Sequence, residues 1–319
     1  MIKRRIIVKK KQNGRFMKLL ASRNVFGFLS RRIKKVIFKN MTSKGLQVFL
    51  RKGDIFSFAP LFEGVHEKPL TNLIRLFSEK DFSDYFIDVG ANIGLSSCQN
   101  GSFFQRVICF EPNPLCANIL KTNLAISLPS EKFIINQFAL GEVEGRFELC
   151  IPKHNWGGAF IRSEDNAYSE DVLASKDSFD DFDPNNYVYS EVQVRSAKDT
   201  FIEIFSSLNN QGLKNGVVKI DVEGFEEVVL FGIAEVLPSD FNVAIIFENF
   251  NKDFDFVRLE KAFLNRKISL CKIESTIIDS THNRLRQIFS LLIGKNDDHY
   301  LVKLSDAHSV VGDIVIKIS

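Results

Sequence analysis

One short stretch, residues 85–97, constrains the fold of this chain more than any other. It reads YFIDVGANIGLSS, in which apolar residues lead into a glycine-flanked polar loop and an amphipathic segment follows. This order predicts a buried strand, a tight turn and a helix, as in the first unit of an α/β sheet. Gly90 and Gly94 fall where a β-carbon would obstruct either a ligand or a close approach of strand and helix. We therefore expect a ligand to lie against bare backbone here.

The loop lacks the glycine pattern that binds phosphates. A dinucleotide fingerprint needs G-x-G-x-x-G, whereas this loop has G-x-x-x-G with Asp88 at its entrance, where a carboxylate would repel phosphate. Such a loop suits a ligand with an ammonium group and no phosphates, as at the methionine end of S-adenosylmethionine. The next predicted strand ends in Glu111, at about the twenty-residue offset where an acidic residue binds ribose hydroxyls. The two carboxylates are thus predicted to lie at opposite ends of a cofactor.

A second strand–turn–helix stretch, residues 216–224, reads GVVKIDVEG. Ligands of open α/β sheets bind beyond the carboxyl ends of the strands, so Asp221 and Glu223 should face the same crevice as the first motif. A further buried strand ends in Glu248 and Asn249. The sequence therefore predicts several carboxylates at one edge of the sheet.

Four motifs resemble those of the FkbM-type S-adenosylmethionine-dependent methyltransferases, and the resemblance covers roughly residues 45–305. The motifs are FIDVGANIG, FEPNP, NWGGA and VKIDVEG. The resemblance implies an α/β, Rossmann-like class-one methyltransferase fold, with a mostly parallel twisted sheet and helices on both faces. It also implies O-methylation of a hydroxyl on a sugar, a glycan such as a surface polysaccharide, or a related natural product.

The resemblance also implies which residues hold the cofactor, S-adenosylmethionine: those of the first motif together with Glu111. We add Asn113, in the turn after Glu111, and Ala139, where the adenine is expected by analogy with this sheet order. The predicted cofactor-binding residues are Asp88, Gly90, Ala91, Asn92, Gly94, Glu111, Asn113 and Ala139.

A sugar hydroxyl acceptor benefits from a base, and a positioned carboxylate or imidazole typically contributes ~10²–10⁴-fold. For Glu223 and Glu248 the alternative is a structural carboxylate held by backbone amides. Lys219 and Asp221 share a strand face, and they form either a buried ion pair that orients the acceptor loop or a solvated pair. The candidate catalytic residues are Asp221, Glu223, Glu248, Lys219 and His154.

A divalent cation is a further hypothesis for the same sheet edge. Asp221, Glu248 and Asn249 could supply oxygen ligands, because Mg²⁺ often needs only one or two carboxylates plus substrate. The five cysteines have no C-x-x-C spacing, so neither a zinc site nor a disulfide framework is indicated.

Charge is distributed unevenly along the chain. Residues 1–53 contain seventeen Lys and Arg and no Asp or Glu, whereas the remainder has 25 basic and 39 acidic residues. Basic clusters in residues 1–40 alternate with apolar residues and predict an amphipathic helix, which either docks on an anionic partner or caps the acidic body. We divide the chain into a basic helical extension (1–44), a methyltransferase-like domain (45–305) with a solvated acidic insertion (163–187), and a C-terminal strand or tail (306–319).

No segment approaches the roughly eighteen to twenty apolar residues that a membrane-spanning helix needs, so we expect a cytoplasmic protein. If residues 1–40 dock on anionic lipid, the protein is peripheral at the inner membrane face. The predicted partner is a sugar, glycan or lipid-linked glycan acceptor. The basic arm also favours an alternative, a nucleic-acid methyltransferase, although the N-P-P-Y-like segment and Pro-Cys pair of base-modifying enzymes are missing. A non-enzymatic binding module is a second alternative, and Asp88 and Glu111 argue against it.

Overall fold

The computed structural model describes residues 31–33, 35–36, 46–51, 60, 64–163, 166–176, 182–251, 254–263, 266–275, 299–304, 310 and 312–318. The chain divides into two compact units, Met1–Gly45 and Leu46–Ser319. The predicted basic arm lies almost entirely outside the described residues. Within the part of the chain that is described, no helix is long and apolar enough to cross a bilayer.

The second unit is built from alternating strands and helices. Its helices are α1 (Lys68–Glu79), α2 (Leu95–Asn100), α3 (Pro114–Ser127), α4 (Glu170–Lys176), α5 (Ala197–Asn210), α6 (Glu226–Val236) and α7 (Phe256–Ala262). Its strands are β1 (Tyr85–Val89), β2 (Arg106–Phe110), β3 (Phe133–Asn136), β4 (Ala139–Gly141), β5 (Gly145–Pro152), β6 (Phe160–Ile161), β7 (Tyr187–Ser196), β8 (Asn215–Ile220), β9 (Asn242–Asn249), β10 (Ile268–Ser275), β11 (His299–Lys303) and β12 (Gly312–Ile318).

Eight strands form one large sheet in the order β11-β10-β12-β9-β8-β1-β2-β3. The pairs from β3 across to β9 are parallel. In contrast, β12 runs antiparallel to β9, β10 runs antiparallel to β12, and β11 runs antiparallel to β10. The prediction of an α/β fold with a mostly parallel sheet is confirmed.

The central strands are apolar because helices cover both of their faces, as parallel sheets require. Along β1, Tyr85, Ile87 and Val89 join a core cluster that includes residues of α5, α6 and α7. Phe86 points the opposite way, into a cluster with α1 and α3. Each of these fully buried side chains contributes about 1.5–3 kcal/mol through removal from water. This packing fixes the carboxyl ends of the strands in one plane.

A smaller sheet lies in the order β4-β7-β5-β6. Its apolar face, including Leu149 of β5 and Val194 of β7, packs on Phe225 just before α6. The chain leaves β5 through a single 3-10 turn, Trp156–Gly158, which carries the only tryptophan. The small sheet thus brings this turn towards the large one.

The structure describes parts of two segments that the sequence analysis set apart from the main domain or within it, residues 306–319 and residues 163–187. The C-terminal strand predicted within residues 306–319 is β12, and it lies inside the large sheet between β9 and β10. The region predicted to be a solvated acidic insertion contains α4, and Tyr168 and Leu173 from it are buried against Phe160 and Tyr187. The described part of this region therefore contributes buried apolar side chains to a shared cluster, while others of its residues, such as Val172, remain exposed.

Candidate active site

A cavity opens to solvent at the carboxyl ends of the central strands. Gly90 follows β1, Glu111 follows β2 and Asp221 follows β8. Because the strand order is β2-β1-β8, Glu111 and Asp221 lie on either side of Gly90. The cavity is lined by Val89, Gly90, Phe110, Glu111, Pro112, Phe138, Ala139, Leu140, Leu149, Trp156, Gly157, Ala159, Ile161, Asp221, Val222, Glu223 and Phe225.

Glu111 organises the loop on the β2 side of the cavity. Its Oε2 accepts a hydrogen bond from the backbone N–H of Asn92 at 2.7 Å, and its Oε1 accepts one from that of Asn113 at 2.7 Å. Burial raises the pKa of Glu111 to about 7, although both amides favour the ionised form. The carboxylate keeps lone pairs for a further donor in the cavity.

The glycines of the first loop are required by close packing. A β-carbon on Gly90 (φ +85°) would meet the Asp221 carbonyl oxygen at 1.7 Å, and one on Gly94 (φ +88°) would meet Leu120 Cδ1 at 2.6 Å. Of the two reasons that the sequence suggested, close approach of chain segments therefore applies to both positions. Gly90 also lines the cavity, so bare backbone does border the space as expected.

Asp88 lies beneath the loop and is fully buried, so it does not line the cavity. Its Oδ2 accepts a hydrogen bond from the Ser97 hydroxyl, and its Oδ1 has no partner among the described residues. Asp88 is the register partner of Lys219 on β8. Burial raises the pKa of Asp88, whereas Lys219 and Ser97 lower it. This differs from the predicted contact with the cofactor ammonium: the side chain points to the α1 face of the sheet.

The remaining predicted cofactor residues take different positions. Ala139 lines the cavity, while Ala91 is buried with its N–H donating to the Phe110 carbonyl at 2.9 Å. Asn92 (φ +51°) places its side chain where a β-carbon on Gly157 would collide with it. Asn113 caps α3 and reaches the Trp156 carbonyl at 3.4 Å. Asn92 and Asn113 therefore shape the cavity wall.

A second buried carboxylate, Glu226, organises the loop on the β8 side. It accepts hydrogen bonds from the backbone N–H groups of Val222 at 3.2 Å and Gly224 at 3.0 Å. Burial raises its pKa. Glu223 adopts a positive φ of 53°, an uncommon conformation for a residue with a β-carbon. The loop is thereby held so that Asp221 and Glu223 both line the cavity.

Lys219 and Asp221 form an ion pair in which the lysine is buried and the aspartate side chain is 33% exposed, so it lies nearer to the buried pair than to the solvated pair of the two sequence alternatives. Lys219 Nζ lies 2.7 Å from Asp221 Oδ2, and the lysine side chain is only 8% exposed. Burial alone would raise the pKa of Asp221, but the Lys219 ammonium holds it below its ordinary value. Asp221 is therefore ionised at neutral pH.

A lysine from the acidic region joins two further carboxylates. Lys176 Nζ, at the end of α4, lies 2.5 Å from Glu223 Oε2 and 3.1 Å from Glu248 Oε2. Burial raises the pKa of Glu223 and that of Glu248, while Lys176 lowers both. Glu223 and Glu248, two of the predicted catalytic residues, thus both contact the Lys176 ammonium group.

A second open cavity adjoins the first and shares Asp221 with it. Glu67, before α1, and Asp313 of β12 also line it. Asp313 is the register partner of Glu248. The second cavity is lined by Glu67, Leu70, Lys219, Ile220, Asp221, Ile246, Phe247, Glu248 and Asp313.

Two predicted site residues lie elsewhere. His154 is exposed in the turn after β5 and lines neither cavity. Asn249 follows Glu248 on β9, so its side chain points to the opposite face of the sheet. There its Nδ2 donates to the Val310 carbonyl at 2.6 Å and its Oδ1 accepts from the Asn251 N–H at 3.1 Å. Asn249 therefore stabilises a loop and does not join Asp221 and Glu248 as a metal ligand.

The metal hypothesis gains no support from the cluster. Within the described ranges, no group of three or more His, Cys, Asp or Glu side chains has an arrangement that could hold a metal ion. The carboxylates of the predicted set are instead paired with Lys176 and Lys219.

The sequence interpretation missed three residues at the site. Lys176 is the single lysine within residues 163–187, and only its tertiary position gives it a role. The sequence gives only a weak signal for Glu226, which is an acidic residue in the first turn of a helix. Trp156 was noted as part of a motif, but its place in the cavity wall depends on the fold of the small sheet.

Comparison with known proteins is consistent with this geometry. The family model described as a methyltransferase FkbM domain matches residues 88–299, more than half of the chain. "Methyltransferase sdnD" of Sordaria araneosa is 29% identical over 157 residues, which cover 47% of this chain and 61% of that protein. The match thus spans about three fifths of that relative's length.

Comparison with solved structures gives matches of low overall similarity. A precorrin 8w decarboxylase of Methanobacterium thermoautotrophicum covers 88% of this chain and 97% of its own, with 10% identity and a TM-score of 0.38. An O-methyltransferase of Bacillus cereus solved with SAH covers 95% of this chain and 94% of its own, with 10% identity and a TM-score of 0.33. Similarities at these TM-scores carry no weight for function.

Proposed function

This chain belongs to the FkbM methyltransferase family, and from this premise we propose that it transfers a methyl group from S-adenosylmethionine to a hydroxyl group of a sugar or glycan. The observation that carries the proposal is the cavity at the carboxyl ends of β2, β1 and β8. It has Glu111 on one side of Gly90 and Asp221 with Glu223 on the other. Cofactors of open α/β sheets bind at this position.

The residues of the cavity fit this cofactor. Its wall is mostly apolar with a few convergent polar groups, the composition that is typical of small-molecule sites. Apolar side chains, including Phe138 and Leu140, would contact the adenine, and Glu111 would accept hydrogen bonds from the ribose. Asp221 and Glu223 would face the positively charged end, a role that the sequence had suggested for Asp88. When bound, the cofactor supplies a methyl group on a sulfonium, a good leaving group for an in-line displacement.

The residues on the β8 side can serve the acceptor. Glu223 lines the cavity, and burial raises its pKa above the ordinary value of a glutamate, which makes its ionised form a stronger base for the hydroxyl proton. Asp221 stays ionised, so it would accept a hydrogen bond and orient the acceptor. Positioning is the main requirement of this chemistry, since a methyl transfer from a sulfonium neutralises charge. We therefore assign Glu223 as the base and Asp221 as the orienting residue.

The second cavity supports a polyhydroxylated acceptor that lacks negative charge. It adjoins the first cavity at Asp221, where a hydroxyl could approach the methyl group. Its wall has four carboxylates, those of Glu67, Asp221, Glu248 and Asp313, but one ammonium, that of Lys219. Carboxylates accept hydrogen bonds from sugar hydroxyls, whereas a phosphorylated acceptor would be repelled.

A nucleic-acid acceptor is the second candidate, favoured by the seventeen basic residues in residues 1–53. Binding of RNA through this segment should weaken steeply as salt rises, because lysines and arginines release condensed counterions. The acidic wall of the second cavity opposes this acceptor.

Two experiments test the proposal. Titration calorimetry with S-adenosylmethionine should give a one-to-one complex, and its absence would refute the cofactor. Mass spectrometry of glycans from cells with and without the gene should then show a missing methyl group on a sugar. Methylation of RNA with unchanged glycans would favour the alternative.

A further inference from the structure

Lys176 occupies an enclosed position at the proposed acceptor site. Its Nζ contacts Glu223 Oε2 and Glu248 Oε2 at 2.5 Å and 3.1 Å. The Phe250 ring centroid lies 4.3 Å from the same Nζ, and that of Tyr168 lies 5.5 Å away. The lysine side chain is 19% exposed. The ammonium is thus held by two carboxylates and flanked by two aromatic faces, both of which attract cations.

The segment that carries Lys176 is fixed at the site by several hydrogen bonds. Asn166 Nδ2 donates to the Glu223 carbonyl at 3.1 Å, and the Ala167 N–H donates to the Gly224 carbonyl at 3.1 Å. The Tyr168 hydroxyl accepts from the Phe250 N–H at 3.1 Å. These bonds join residues 166–176 to the loop after β8 and to the end of β9. These hydrogen bonds therefore hold the segment that carries Lys176 at the site, and the contacts of Lys176 are not those of an unrestrained surface side chain.

Two lysines pair with three of the carboxylates at the sheet edge. Lys219 pairs with Asp221, and Lys176 pairs with Glu223 and Glu248. Carboxylates at the ends of two neighbouring strands are also the ligands that Mg²⁺ and Mn²⁺ prefer. A divalent ion bridging Glu223 and Glu248 would have to displace the Lys176 ammonium, because both interactions use the same oxygen atoms.

We propose that Lys176 is a positioning residue: its ammonium group takes the place that a divalent cation would need between Glu223 and Glu248, and holds the two carboxylates without a metal. The proposal rests on the proposed function, in which these carboxylates border the acceptor. It assigns a role to the acidic region that the sequence interpretation treated as solvated. The methyl transfer then depends on a lysine where a metal-dependent enzyme would depend on Mg²⁺.

The test measures Mn²⁺ binding by titration calorimetry and thermal unfolding, using the full chain after treatment with chelator. Lys176→Met should bind Mn²⁺ at least about tenfold more tightly than the wild type, because it frees the Glu223 and Glu248 carboxylates for the ion. Mn²⁺ should also raise the Tm of this variant. Adding Glu248→Gln to it should remove both gains. A purely structural role for Lys176 predicts none of this gain.

Two control variants distinguish loss of the positive charge at position 176 from loss of a lysine elsewhere. Lys176→Arg retains a cation and should behave like the wild type. Lys198→Met removes a lysine that pairs with Glu235 at 2.8 Å on the surface, and it should leave Mn²⁺ affinity unchanged. A Lys176→Met protein that folds without gaining Mn²⁺ affinity overturns the proposal.

If Lys176→Met does not fold, the response of the wild-type protein to Mn²⁺ and to chelator tests the proposal instead. A Tm that is indifferent to Mn²⁺ and to chelator supports the proposal. Mn²⁺ binding by the wild type that Glu248→Gln weakens overturns it. Calorimetry with S-adenosylmethionine on the same wild-type protein separates the two ideas: no cofactor binding refutes the proposed function, while the Mn²⁺ result still decides the role of Lys176.

Discussion

Gly90 and Asp221 lie in direct backbone contact, so close that a β-carbon on Gly90 would stand 1.7 Å from the Asp221 carbonyl oxygen. The Asp221 N–H in turn donates to the Val89 carbonyl at 2.9 Å. The turn after β1 and the turn after β8 are therefore joined at the floor of the cavity. A change at Gly90 should move both.

Replacing Gly90 with alanine should destabilise the protein strongly. Gly212 provides a matched control, because it also has a positive φ (+72°) but has no atom within 4 Å of an added β-carbon. Gly212→Ala should cost about 1–2 kcal/mol from conformation alone. Gly90→Ala should cost at least about 2 kcal/mol more through the collision. Urea unfolding measures both, and equal losses would contradict the close contact.

Removing the Glu111 carboxylate should weaken cofactor binding. Glu111→Ala is expected to raise the Kd for S-adenosylmethionine by about tenfold to a hundredfold, the usual effect of losing hydrogen bonds to a charged group. Glu79→Ala, which alters an exposed residue of α1, serves as the control. Calorimetry that finds the same Kd for Glu111→Ala and the control would refute the assignment.

The pKa of Glu111 also makes binding and stability depend on pH. Since the ionised carboxylate is the better acceptor, affinity for the cofactor should rise with pH through about 7. Folding stability should change in the opposite sense. A carboxyl group whose pKa is higher in the folded state than in the unfolded state stabilises the fold at pH values below its unfolded-state pKa. This contribution is lost as pH increases from about 4.5 to about 7. Glu111→Ala should flatten both profiles.

A double-mutant cycle on Lys219 and Asp221 should show strong coupling. Asp221→Asn leaves the buried Lys219 ammonium without its partner and should cost about 3 kcal/mol or more. Adding Lys219→Met removes the stranded charge, so the double variant should be more stable than Asp221→Asn. Asp240→Asn, which breaks the exposed pair with Lys214, should have little effect. Simple additivity in urea unfolding would contradict the buried pair.

Some of this site could be predicted from the sequence because it depends on local pattern. Glu111 and Asp221 follow apolar runs, and parallel strands bring such ends to one edge of a sheet. The Lys219–Asp221 pair follows from the two-residue repeat of a strand. The same repeat separates Glu248 from Asn249, which explains why the proposed pair of metal ligands does not form.

Other features depend on contacts between distant segments. Asp88 could be placed at the start of the loop, but its burial depends on Lys219 of β8 and Ser97 of α2. Lys176 lies in a region whose composition suggests solvation, and its role arises only where that region crosses Glu223 and Glu248. No spacing rule connects positions that far apart.

Turnover should depend on the Glu223 side chain. Once an acceptor is identified, Glu223→Gln should retain most of the cofactor affinity yet lose about 10²-fold or more in kcat, as expected for loss of a general base. Glu227→Gln, an acidic residue of α6 that pairs with Arg258 on the surface, is the matched control. A Glu223→Gln enzyme with a kcat close to that of the wild type would exclude the assignment.

The basic segment at the start of the chain should govern attachment to anionic surfaces. Deleting residues 1–40 should abolish sedimentation with vesicles that contain acidic lipid while leaving the Kd for S-adenosylmethionine unchanged. Sedimentation of the full chain should decline as salt rises, because lysine and arginine contacts with headgroups are screened. Equal sedimentation of both proteins would argue for a helical cap on the acidic body.

The position of β12 has a consequence for synthesis on the ribosome. This strand is made after every other described strand, yet it separates β9 from β10. Until it emerges, the nascent protein presents an open edge of β9, with the Glu248 side of the proposed acceptor site incomplete, because Asp313 arrives with β12. Unpaired edges of this kind are prone to association. The chain should therefore depend on chaperones late in translation, and premature release before residue 312, where β12 begins, should yield aggregation instead of a smaller, active enzyme.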